Sequence, residues 1–194
     1  MNTPRITRRR VGILAPATLC SSLVGGHLAA DAHSTHASIP KPRPTAAQRT
    51  VVREATRRFR NVAAAIAAAI AAGYLQTDAC AELPGVGGMG YHFVNPVLSS
   101  DGRIDPTQPE ILLYTKDSKG RWNLAGVEWF MADGDQDLGT DADRPTLFSH
   151  PFDGPMTGHE PGMPVHFDLH VWLYMLNPGG QLSAWNPRLH CPTP

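Results

Sequence analysis

The sequence predicts an α+β fold: one long N-terminal helix packed on a curved antiparallel sheet of about four to six strands. Three observations carry this expectation. From Thr45 to about Tyr74, apolar residues recur at spacings of three and four (Val51, Val52, Ala55, Phe59, Val62, Ile66, Ile70), the period of a helix with one buried stripe. From Val165 to Met175, apolar and polar residues alternate, the period of a strand with two unlike faces. Between them, Gly, Pro and Asn clusters cut the chain into short segments with turn chemistry at their ends.

The elements follow in order. Arg5, Arg8, Arg9 and Arg10 precede an uncharged run from Val11 to Ala30, and Ala30-Asp31-Ala32 offers a small-x-small cleavage pattern. Basic, apolar and small, in that order, form a secretory signal over residues 1–32. Thr7-Arg8-Arg9-Arg10-Val11 is similar to the twin-arginine signature, although Val11-Gly12 stands where Phe-Leu is usual. An Arg-rich general secretory signal is the alternative. Pro16, Gly25, Gly26 and His27 interrupt the apolar run and argue against a permanent anchor. The expected location is therefore periplasmic or extracellular.

Residues 33–44 are Ser, Thr, His and Pro and predict a flexible leader; residues 45–194 form a single globular domain. Thr45 suits a helix N-cap and Gly73 a helix stop. Gly85 to Gly90 predicts a Gly-rich turn, and no Lys-Ser/Thr follows to make it a phosphate loop. Strands are expected at Tyr91 to Val94, Glu110 to Thr115 and Trp122 to Phe130, the last two joined by a turn at Lys116 to Gly120. Asp133 to Asp143 is an acidic loop. It begins like a calcium loop, but its sixth position is Leu138 and its twelfth Arg144, which ends the match. Leu147 to Pro164 predicts a long Pro/Gly-rich loop, and Val165 to Met175 the strongest strand.

Composition narrows the function. Removing residues 1–32 takes away four arginines and one aspartate and leaves 13 basic and 16 acidic residues, a formal charge of −3. That is no footprint for nucleic acid, nor for an anionic membrane once the signal is cleaved. Of three cysteines, Cys80 and Cys191 remain, and in an oxidising compartment an isolated pair forms a disulfide. Metal binding by Cys191 with His190 is the alternative. A free N-terminal His33, with His36 nearby, is a weak copper motif.

The chemistry concentrates on the last strand. Its odd positions, Val165, Phe167, Leu169, Val171 and Leu173, form a core face; its even positions, His166, Asp168, His170, Trp172 and Tyr174, line the other. Two histidines around an aspartate beside two aromatics suit a metal or acid–base site, with Trp172 and Tyr174 lining a ligand. Same-face neighbours on a strand lie about 6.6 Å apart, so His166 and His170, about 13 Å apart, cannot share an ion unless a bulge bends the strand. Further ligands must come from other segments. His159 and Glu160 lie in the preceding turn, His92 on a second strand and Glu128 on a third. The expected occupant is a divalent transition metal (zinc, iron, manganese or copper) or a small polar molecule. A metal-free ligand-binding or sensing module and a purely structural polar network are the alternatives, and whether the protein is an enzyme stays open.

Four segments, Gly90-Tyr91-His92-Phe93-Val94-Asn95-Pro96, Pro109 to Tyr114, Gly126 to Phe130 and Gly158-His159-Glu160-Pro161-Gly162-Met163-Pro164 running on to Trp172, resemble a family of small secreted bacterial proteins with no settled function. The likeness runs from about Ala55 to Cys191, and the acidic loop stands beside it as an insertion. It implies one secreted domain and assigns no catalytic residue.

Overall fold

The structure is a computed structural model that describes residues 43–77 and 79–192. The expected signal peptide, most of the leader and the copper motif at His33 and His36 lie outside the described residues.

The described residues form three α-helices and nine strands: α1 (Ala46–Thr56), α2 (Ala65–Ala71), α3 (Pro96–Ser99), β1 (Leu75–Gln76), β2 (Ala81–Leu83), β3 (Gly87–Val94), β4 (Ile111–Lys116), β5 (Trp122–Ala132), β6 (Thr146–Leu147), β7 (His150–Pro151), β8 (Asp153–Met156) and β9 (His166–Trp172). A seven-stranded antiparallel sheet runs β1-β3-β4-β5-β9-β8, with β2 also paired to β3; β6 and β7 form a separate ribbon. The sheet is larger than expected because the short strands β1 and β2 join it at β3 and the Pro/Gly-rich loop contributes β8. That strand sits at an edge, where Pro155 removes no interior ladder bond.

One core joins the helical layer to one face of the sheet. Val52, Phe59, Ala65, Ala69 and Tyr74 pack with Phe93, Leu112, Tyr114, Leu124, Val127, Trp129, Phe167, Leu169 and Val171. The odd positions of β9 are thus the core face, as the alternation predicts. Two small apolar clusters lie apart from this core: Ile111, Leu113 and Phe130 with Val94 and Met163, and Ala125, Trp172 and Leu189 with the two cysteines.

The long helix expected from Thr45 to Tyr74 is not formed. Thr45 caps α1 as a capping box with Gln48, but the chain passes into a 3-10 turn at Arg57–Arg60 and breaks before α2. Asn61 supplies the reason. Its Oδ1 accepts from Ala63 N–H at 3.1 Å and its carbonyl from Ala64 N–H at 2.9 Å, a local turn that competes with helix propagation. The Phe59 carbonyl is also taken, by the Tyr114 hydroxyl at 3.0 Å.

The Gly-rich segment expected as a turn lies largely in β3. Its glycines admit close backbone neighbours. A Cβ on Gly88 would fall 2.9 Å from the Leu189 carbonyl oxygen, and one on Gly90 would fall 2.5 Å from the Tyr114 carbonyl oxygen. The C-terminal tail lies on this strand through the bridge Gly88–Asn186. Cys80 and Cys191 are joined, with Cα atoms 5.6 Å apart, so Cys191 is no metal ligand. His190 Nδ1 instead lies 2.9 Å from Glu82 Oε1. The acidic loop's carboxylates accept from its own backbone and Thr140, while Gln136 pairs with both backbone groups of Val165 and anchors the entry to β9. Among the described residues no helix is long and apolar enough to cross a membrane.

Candidate metal centre

The sheet face away from the helices carries the polar residues, and it is not a solvated face. His166, Asp168 and His170 are fully buried, Glu128 is 3% exposed and His92 7%. Buried ionisable groups must be paired, neutralised or bound to a cation. Registration decides which of them meet. Glu128 on β5 stands directly opposite His170 on β9. One pleat away, His92 on β3, Leu113 on β4, Gly126 on β5 and Trp172 on β9 form a row. Gly126 adds no side chain to that row, and β9 runs close over it: an added Cβ would fall 2.6 Å from the Val171 carbonyl oxygen.

Glu128 Oε2 lies 3.5 Å from His92 Nε2 and 3.3 Å from His170 Nε2. His92, Glu128 and His170 each offer one ligand atom, and these three atoms lie within 4.8 Å of one another. The two contacts to Glu128 exceed the usual 2.7–3.2 Å range of an N–H···O bond. They match the edge of a tetrahedron with bonds of about 2.0–2.1 Å, which is roughly 3.3–3.4 Å. The other nitrogen of His170, Nδ1, faces Asp168 Oδ1 at 3.6 Å. A carboxylate behind a ligating imidazole is a common way of fixing its ring and raising its basicity.

The electrostatics agree. Burial alone would depress the His170 imidazolium, but the Glu128 carboxylate, and after it Asp168, push it up to about 9. The site therefore favours positive charge at its centre. At the far end of β9, burial lowers the pKa of His166, and the nearby Asp168 carboxylate offsets this only in part.

The remaining expected site residues are spread out. His166 stacks on Phe130, with ring centroids 5.0 Å apart, and the His159 ring is tilted 51° to that of His166 with centroids 5.5 Å apart. Glu160 is exposed in its turn. Trp172 stays on the polar face, with Nε1 donating to the Ser183 carbonyl at 2.7 Å. Tyr174 leaves it. The strand ends at Trp172, and the Tyr174 hydroxyl lies 2.7 Å from Thr56 Oγ1 in the helical layer. Tyr174 thus lines no part of this face. Glu110 escaped the sequence reading. It is 1% exposed, and its Oε2 accepts from Phe130 N–H at 3.2 Å. As the first residue of an expected strand, directly after Pro109, it gave no sign of burial, and the observed strand begins one residue later. Comparison with protein-family models, curated proteins and solved structures finds no match to this chain.

Proposed function

We propose that this chain is an exported metal-binding protein whose ion is held by His92, Glu128 and His170. The observation that carries the reading is the carboxylate oxygen of Glu128 set 3.5 Å and 3.3 Å from two imidazole Nε2 atoms, at ligand–ligand rather than hydrogen-bond spacing. Asp168 behind His170 supports it as the orienting partner. Two imidazoles and one carboxylate suit zinc, and iron(II) in sites that keep open positions. Three protein ligands leave room for water or a small ligand, and such exposure as the triad has lies mainly at His92. Export is supported by the N-terminal residue pattern and by the Cys80–Cys191 disulfide, which persists in oxidising compartments.

The test is to express the full chain with its signal, recover the exported protein and measure bound metal by mass spectrometry, beside His92→Ala and Glu128→Gln. About one ion per chain should be lost in each variant while the fold, read by circular dichroism, persists. Equal metal content in wild type and both variants would remove the reading.

A second reading has one observation behind it. A proton on His170, favoured up to about pH 9, balances the neighbouring carboxylates without any metal. On that reading the wild type binds no ion even after reconstitution, and His170→Gln lowers stability alone.

A further inference from the structure

At the opposite end of the polar face of β9 lies a second pair of imidazoles that the triad does not use. His166 is fully buried. Its Nδ1 sits 3.1 Å from the Pro164 carbonyl oxygen. A carbonyl can only accept, so Nδ1 carries a proton and donates it, and the neutral ring then presents a bare lone pair at Nε2. That nitrogen is enclosed, and no hydrogen-bond donor among the described residues reaches it. An enclosed lone pair calls for a donor or a Lewis acid.

The surroundings favour the Lewis acid. Stacking on Phe130, with planes 28° apart, fixes the ring plane, and the Pro164 carbonyl fixes its rotation. This is the support that ligating histidines receive in metal sites. The second imidazole is in place: the His159 ring centroid lies 5.5 Å from that of His166, with the planes tilted by 51°. Two imidazoles bound to one ion at about 2.0–2.1 Å, and opened by a tetrahedral angle, place their ring centres roughly 5 Å apart. Asp168 is the next residue on the same face. Its carboxylate acts on His166 as it does on His170, so it supplies negative charge to both ends of the strand.

We propose that His166 and His159 hold a second transition-metal position, separate from the triad, with Asp168 as the carboxylate standing between the two. Nitrogen donors select a borderline cation, zinc or copper(II), over calcium or magnesium. His159 is only half-buried, so the ion and its remaining ligands enter from that side, through the turn Gly158–Gly162. The position stands on its own observations and does not require the triad to bind.

The experiment is equilibrium dialysis of the chelator-stripped exported protein against zinc, with bound metal counted by mass spectrometry. Wild type is compared with His166→Ala, His159→Ala, His92→Ala and the double variant His92→Ala/His159→Ala. Each single variant should bind one zinc fewer than wild type, and the double variant two fewer. His159→Ala guards against misfolding, because it removes a half-buried loop side chain and leaves the packing of His166 on Phe130 in place. If His159→Ala and His166→Ala bind as much zinc as wild type, the second position is overturned while a loss in His92→Ala still upholds the triad. If His92→Ala matches wild type and the other two lose an ion, the triad reading fails and the second position stands. A double variant that loses no more than either single one makes the triad and the imidazole pair one site and overturns the proposal.

Discussion

Glu110 shows how one buried side chain should shape the behaviour of the whole chain. Burial raises its carboxyl to about 8, and the backbone N–H of Phe130 only partly offsets this. The folded state therefore keeps a proton that the unfolded state releases near its ordinary pKa of 4.5. Between those values the native state binds more protons than the unfolded one, so stability falls as pH rises from about 4.5 to 8. At about 1.4 kcal/mol per pKa unit, the loss amounts to a few kcal/mol. Glu110→Gln keeps an acceptor for Phe130 and removes the titration. Urea midpoints of the metal-free protein at several pH values should show the variant gaining on wild type across that window. A constant gap between the two would mean that Glu110 ionises normally in the fold. At this scale the sequence was partly legible. His92, Glu128 and His170 were each visible as chemistry-bearing residues, because imidazole and carboxylate stand out against apolar neighbours. Which of them meet was not visible. That depends on strand register, which is a property of pairs of strands.

Elements were legible where periodicity was strong and misleading where glycine or asparagine decided. The alternation of β9 predicted its core face, whereas its other face proved to be buried, since nothing in one strand says what will cover it. The helical period from Thr45 to Tyr74 ran unbroken through Asn61, whose side-chain turn breaks the chain between the 3-10 turn and α2. Gly88 and Gly90 suggested a turn, yet they serve β3 by admitting the tail and the Tyr114 carbonyl. Gly90 makes this testable. Its φ is +90°, and an added Cβ would meet a backbone oxygen that cannot swing away. Gly102 also has positive φ, at +67°, but nothing lies within 4 Å of its would-be Cβ. Gly102→Ala should cost about 1 kcal/mol, from backbone strain alone, and Gly90→Ala clearly more, at least about 2 kcal/mol. Chemical denaturation of both variants reads the difference. Equal costs would mean that β3 can move away from β4 at little expense, and that its glycines are there for conformation rather than close approach.

At the scale of the molecule, the disulfide and the sheet hold different things. Cys80 and Cys191 are separated by 111 residues, and their bond closes β2 through β9 and the tail into one loop, with α1, α2 and β1 outside it. Closing a loop of this length removes about 4–5 kcal/mol of unfolded-state entropy in a chain-entropy account, and less where the tail retains other contacts. The tail has such contacts: Asn186 bridges to Gly88, and Leu189 packs with Ala125 and Trp172. The triad, by contrast, is carried by β3, β5 and β9, whose mutual order is set by the ladders β3–β4, β4–β5 and β5–β9. Cys80→Ser/Cys191→Ser should therefore unfold at a lower urea concentration, with about 2–4 kcal/mol lost. Below that midpoint it should keep the triad's ion, as measured by bound metal after dialysis. Loss of stability with metal retained would place the disulfide's role in restraining the unfolded chain and leave the centre to the sheet alone. Loss of the ion from a chain that still folds would show that the tail over Trp172, next to His170 on the same face, is part of what encloses the metal.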